Sequence, residues 1–233
     1  MKLLALDTSS MTATVALLDE DKVIGEYTLN HRKSHSEKLM PMIEEIVRSC
    51  ELTPKDIDVF AVSLGPGSFT GLRIGIATIR AMAQALDKPV VGVPTLEALA
   101  FNLFQSTGFV CPIIDAQRDL VYTGVFQWVK GQMVEVVPQQ VLHIDELMDR
   151  LQKETEAVYF VGDAIDKFAP ILKERLGAQF QVPPKKFLIP SAASVGEIAK
   201  IKFEKGLVGD IAPIYMRKSA AEVQYDEKMK GRA

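Results

Sequence analysis

Three groups of residues carry side chains that could do chemistry. Asp7-Thr8-Ser9 ends a short apolar run with a carboxylate and two hydroxyls at a turn, groups that could contact a phosphate, orient a magnesium ion or act as a base. His31 and His35 have H-x-x-x-H spacing, at which two imidazoles can share a metal ion. His143 stands just before Asp145 and Glu146. Each group also has a plainer reading. Asp and Ser at a strand end satisfy local backbone groups. Arg32 and Lys33 lie between His31 and His35, ahead of the next helix, and their charge opposes a dication, so a solvated loop is expected there. His143 suits a helix cap or a surface position. Cys50 and Cys111 match no metal or redox spacing and are expected as free thiols. The chain contains neither a G-x-S-x-G elbow nor a G-x-x-x-x-G-K-[ST] phosphate loop. No catalytic residue and no metal ligand is assigned.

The elements that position these residues follow from patterning. Apolar or alternating runs over 2–7, 12–18 and 23–29 predict a three-stranded antiparallel meander. Ser34 or Ser36 then caps a helix through about Cys50, with Leu39, Ile43, Ile46 and Cys50 as its stripe and Pro41 as a kink. A buried strand over 59–64 leads through the turn Gly65-Pro66-Gly67-Ser68 into a helix ending near Leu86, capped by Ser68 or Thr70. A strand over 90–93 and a helix from Thr95 to about Phe104 close this half. After a polar hinge at 105–108 the order returns, with strands over 110–115, 121–129, 132–136 and 157–161 and helices over 145–153, 166–176 and 193–204. The expectation is an α/β fold of two lobes, each β-β-β-α-β-α, over 1–106 and 107–217, with 218–233 a weakly ordered tail.

The helix that follows the Gly65-Pro66-Gly67-Ser68 turn and ends near Leu86 is unusual in having little polar surface. Leu72, Ile76, Ile79, Ala83 and Leu86 form one stripe, Gly71, Gly75, Ala77, Ala81 and Ala85 are small, and Arg73 and Arg80 are its only charges. Two glycines one turn apart cost helix stability and suggest close approach of another backbone. The small face predicts a second helix against it, from this chain or from another.

At 233 residues, 48% hydrophobic and 24% charged, the composition is that of a globular protein. No apolar run approaches the ~20 residues that span a bilayer. Lys2 precedes only four apolar residues before Asp7, too few for a secretory segment, so a cytoplasmic protein without membrane contact is expected. The net charge of −3 opposes unaided binding of nucleic acid, whose affinity rests on phosphate neutralisation.

Two meander-and-helix halves resemble the actin, sugar-kinase and Hsp70 superfamily. That resemblance places Asp7-Thr8-Ser9 at a phosphate-contacting turn and Val161-Gly162-Asp163-Ala164 near an adenosine position. At LALDTSS, GPGSFTGLRIGIATIRAMAQAL and VVGVPTLEALA, and again at IIDAQRDLVYTGVF and PIYMR, the chain resembles the TsaB (YeaZ) family of tRNA threonylcarbamoyladenosine biosynthesis. The resemblance implies a non-catalytic subunit that pairs with its larger homologue TsaD, with the ATPase TsaE assisting, tRNA met only through the complex, and a homodimer when the chain is alone. TsaD holds a metal through an H-x-x-x-H, and Thr95 and Leu99 occupy the corresponding positions here, so no metal is implied. The second-lobe turn Asp115-Ala116-Gln117-Arg118 is bulkier and more cationic than a kinase's glycine-rich turn, so no cofactor is expected beyond weak ATP or ADP binding and no phosphoryl transfer. The partner face is expected at Leu39, Met40, Met42, Ile43, Gly71, Gly75, Thr78, Ala81, Met82 and Ala85. The alternative is a small-molecule kinase or a metallopeptidase using Asp7, His31 and His35.

Overall fold

The computed structural model describes residues 1–31, 35–209 and 211–217. Arg32, Lys33, the proposed cap Ser34 and the tail from 218 onward lie outside the described residues. The first half runs β1 (Leu3–Asp7), β2 (Thr12–Leu18), β3 (Val23–Asn30), α1 (His35–Ser49), β4 (Val59–Gly65), α2 (Phe69–Leu86), β5 (Val90–Pro94) and α3 (Thr95–Phe101). Its sheet has the order β3-β2-β1-β4-β5, with β1 antiparallel to β2 and parallel to β4. The second half runs β6 (Phe109–Asp115), β7 (Leu120–Val129), β8 (Gln132–His143), α4 (Ile144–Leu151), β9 (Val158–Val161), α5 (Ile165–Leu176), β10 (Phe180–Gln181) and α6 (Ala192–Glu204). Its sheet, β10-β9-β6-β7-β8, repeats the antiparallel and parallel pairings of the first.

β1 is buried along its whole length because helices cover both faces of its sheet. On one side Leu39, Ile43 and Ile46 of α1 and Leu72, Ile76 and Ile79 of α2 pack on Leu4, Leu6, Val15 and Leu17. On the other, Val195, Ile198 and Ala199 of α6 pack on Leu3, Ala5, Ala16 and Leu18. α6 therefore crosses the boundary expected at 106/107: it comes from the second half of the chain and completes the core of the first. Glu26 on β3 fixes its start, accepting from the Ser191 hydroxyl at 2.8 Å and the Ala193 amide at 3.0 Å. A carboxylate there also complements the positive end of the helix dipole.

α3 serves both sheets. Ala98 joins the α6 cluster, whereas Leu96, Leu99 and Ala100 pack on Val110, Ile114, Tyr122, Phe126 and Val161 of the second lobe. Just beyond it, Asn102 donates to the carbonyls of Phe187 (3.1 Å) and Ile189 (2.9 Å) and accepts from the Ser194 hydroxyl (2.8 Å). α3 ends at Phe101 rather than near 104. β8 runs past the expected end at 136 to His143, and its Pro138 is tolerated because β8 is an edge strand.

The two helical glycines of α2 meet their own chain. A Cβ on Gly71 would lie 2.0 Å from the Thr8 carbonyl oxygen, and one on Gly75 would lie 2.3 Å from the Thr8 hydroxyl and 3.0 Å from the Leu6 side chain. Another backbone comes close at Gly71 alone, and it is that of the turn after β1, whereas Gly75 meets the side chains of Thr8 and Leu6. Replacing Gly71 by Ala forces that contact apart and should lower unfolding free energy in urea by ~1–3 kcal/mol despite alanine's better helix propensity. Ala77→Ser on the exposed side of α2 should stay within about 0.5 kcal/mol of the parent.

Candidate functional site

The first candidate is the Asp7-Thr8-Ser9 turn at the end of β1. All three residues are fully enclosed, at 0 to 1% exposure. Asp7 Oδ1 accepts from the Ser9 amide and the Ser9 hydroxyl, both at 2.7 Å, and Oδ2 accepts from the Ser63 hydroxyl. Thr8 donates its hydroxyl to the Gly71 carbonyl at 2.8 Å. The Ser9 carbonyl accepts from the Ser68 amide at 2.7 Å, and Gly67 is so close that a Cβ would lie 2.3 Å from that oxygen. The side-chain oxygens that would reach for phosphate or magnesium are therefore engaged within the turn itself, by Ser63 of β4 and by Gly71 of α2. Ser63 was not singled out from sequence, although it is the one hydroxyl in the apolar run VFAVSLG.

Burial is the largest influence on Asp7 and raises its pKa above 3.8, against the lowering by the Ser63 and Ser9 hydrogen bonds and the charge of His35. His35 is not in a solvated loop. It is the first residue of α1, half-buried, with Nε2 2.7 Å from the Ser10 carbonyl oxygen. His31 is exposed. His143 caps α4, its Nδ1 accepting from the Asp145 amide at 3.4 Å. Thr95 is buried with its hydroxyl accepting from the Gly65 amide at 3.1 Å, and Leu99 lies in the core, so neither fits a metal. Among the described residues, no group of three His, Cys, Asp or Glu side chains is placed to hold one. No helix among them is long and apolar enough to cross a membrane.

The second-lobe turn is held by charge. Gln117, Arg118 and Asp119 all have positive φ, at 63, 52 and 58°. Asp115 Oδ1 accepts from the Gln117 amide at 2.9 Å and from the Lys167 ammonium at 3.0 Å, and the Asp115 amide donates to Asp163 at 3.1 Å. Burial, reinforced by the neighbouring Asp115 charge, raises the pKa of Asp163. Gly162, at φ +106°, lies where a Cβ would come within 2.3 Å of the Ile113 carbonyl oxygen, which gives it a packing role.

The second candidate is the outward face of α2 with the adjoining part of α1. The ten residues expected there divide. Leu39 and Ile43 are 1% and 2% exposed within the sheet-facing core, and Gly71 and Gly75 are buried against the Thr8 turn, so these four are corrected to interior positions. Met40, Ala81 and Ala85 are exposed, and Met42, Thr78 and Met82 are half-buried. Half-buried Ile74 and exposed Ala77, absent from the expected set, extend the same ridge. Spacing of three and four residues along α2 from Ile74 identifies them.

Against known proteins, a family model described as TsaD, tRNA N6-adenosine threonylcarbamoyltransferase, matches residues 22–225. The tRNA threonylcarbamoyladenosine biosynthesis protein TsaB of Bacillus subtilis is 34% identical over 230 residues, 99% of this chain and 100% of the relative. The chain belongs to the TsaB family. The Escherichia coli TsaB protein is 28% identical over 95% of this chain and 96% of its own length. The solved YeaZ structure from Pseudomonas aeruginosa superposes with a TM-score of 0.76 at 26% identity, covering 92% of this chain and 99% of that one. Component A of the (R)-2-hydroxyglutaryl-CoA dehydratase of Acidaminococcus fermentans, at TM-score 0.51 and 11% identity over 87% of this chain and 98% of that one, shares the fold alone. The two lobes repeat one order of elements and one pattern of sheet pairing, as expected from the sequence.

The raised pKa of Asp7 has a defined effect on stability. An acid that holds its proton more tightly when folded loses stability as pH rises from its unfolded value, here 3.8, through its folded value. Asp7→Asn removes the charge while its side-chain oxygen still accepts from Ser9. Its stability relative to the parent, measured by urea unfolding, should therefore rise over the interval that begins at the unfolded value of 3.8 and extends upward through the folded one. A relative loss over that interval would contradict the assignment.

Proposed function

We propose that this chain serves tRNA threonylcarbamoyladenosine biosynthesis as a docking subunit that performs no chemistry alone, pairing with TsaD while TsaE assists. The observation that carries this reading is the outward ridge of α2, where Ile74, Ala77, Thr78, Ala81, Met82 and Ala85 leave a nearly uncharged, low-relief helix surface beside Met40 of α1. Small side chains let a partner helix approach closely, and each large apolar side chain buried there contributes ~1.5–3 kcal/mol. Methionines at the edge can adapt to a partner's contour.

The enclosed Asp7 turn supports the same reading. A residue whose two carboxylate oxygens already accept from Ser9 and Ser63 is poorly placed to orient a magnesium ion or to take a substrate proton. Nucleotide binding by the isolated chain is expected to be weak for the same reason. tRNA is met through the complex, in keeping with the net charge of −3. Without TsaD, the same ridge is expected to pair with a second copy of itself, because an isologous contact needs only one self-complementary patch.

The test is co-purification with TsaD from the same cells. Ala81→Arg places a long cation on an exposed position of the ridge, which should weaken association at least about tenfold while leaving the thermal midpoint of the isolated chain unchanged. Gly75→Arg is unsuitable because it disrupts the chain's own core. Undiminished capture of TsaD by the Ala81→Arg protein would place the docking surface elsewhere.

A further inference from the structure

The two arginines of α2 are its only charged residues, lie seven positions apart on its exposed side, and hold the same segment of chain. Arg80 donates to the Ile211 carbonyl, and Arg73 Nε donates to the Tyr215 hydroxyl at 3.0 Å. Two helical turns separate the arginines by ~10.5 Å, a span that four residues of non-helical chain can cover. Residues 211–217 therefore run antiparallel to α2.

Between these two points the segment is fastened to the β4–α2 turn. The Ile214 amide donates to the Leu64 carbonyl at 2.7 Å. Gly65, at φ +111°, leaves room for it, since a Cβ there would lie 2.7 Å from the Ile214 carbonyl oxygen. The Tyr215 ring stacks on Phe69 with centroids 4.5 Å apart. The far end joins the second lobe: Met216 packs against the cluster of Leu96, Ile114 and Tyr122, and Arg217 donates to the Ala116 carbonyl beside the left-handed 117–119 turn.

We propose that residues 211–217 are a tether that makes the first turns of α2 and the 115–119 turn of the second lobe open and close as one unit. The arginines of α2 then serve as clamps for this tether. The inference goes beyond docking and stands without it. It also gives a physical role to Pro213-Ile214-Tyr215-Met216-Arg217, which sequence patterning left without one.

The test is amide hydrogen exchange on the full chain. Tyr215 touches the α2 end, through Phe69 and Arg73, whereas Arg217 touches the second-lobe end. The reporters are the Gly71 and Leu72 amides, bonded to Ser68, and the Ala116 and Leu120 amides, bonded across the turn. Tyr215→Ala should speed exchange at Ala116 and Leu120, and Arg217→Gln should speed it at Gly71 and Leu72, each by about threefold or more. Tyr215→Phe, which keeps the Phe69 stack and the ring beneath the Arg73 guanidinium and removes only the hydrogen bond from Arg73, should show a smaller change at the same distant amides. Faster exchange confined to the end each variant touches would overturn the proposal, as would unchanged exchange at both ends.

Discussion

The close seating of α2 on the turn after β1 is the contact from which the rest of the molecule follows. Gly67 and Gly71 let the chain approach Ser9 and Thr8 more closely than any side chain would permit. The Ser68 amide and the Thr8 hydroxyl then stitch the two segments together. A carboxylate buried at this joint is tolerable only because hydroxyls and an amide satisfy it, and Ser63 and Ser9 supply them. With α2 held this way, its Leu72, Ile76 and Ile79 stripe meets the sheet and its small-residue ridge faces outward.

That joint also separates two uses of one fold. A turn with open hydroxyls can serve a ligand, whereas a turn whose side-chain oxygens all have partners within the chain serves as a structural rivet. The Asp7-Thr8-Ser9 turn is of the second kind, and Thr95 and Leu99 are likewise engaged in packing. What the chain presents instead is surface, shaped by α1, α2 and the segment that α2's arginines hold. Fold alone does not decide between these uses, and the hydrogen-bond partners do.

Much of the architecture was legible because periodicity is local. The meander, the β4–α2 turn and its Ser68 cap, and the repeat of the element order all follow from alternation, turn residues and stripes. Long-range placement was not. Nothing in the composition of 192–204 says that it packs on the first sheet, since an amphipathic helix carries no address. The same limit explains the partner face. Glycine spacing at 71 and 75 reports a close neighbour but not whose, and the stripe positions Leu39 and Ile43 are equally suited to a core or to an interface. Ser63 is a single hydroxyl whose importance appears only when β4 lies beside β1.

The central claim is that the chain acts by binding rather than by reaction. Its most direct test is to reconstitute threonylcarbamoyl transfer to tRNA with fixed TsaD and TsaE while this chain is titrated in. Initial rate should rise with added chain and reach a plateau at one copy per TsaD, with no modified tRNA formed when TsaD is omitted. Modification by the chain without TsaD, or full stimulation at a small fraction of one copy per TsaD, would contradict the account.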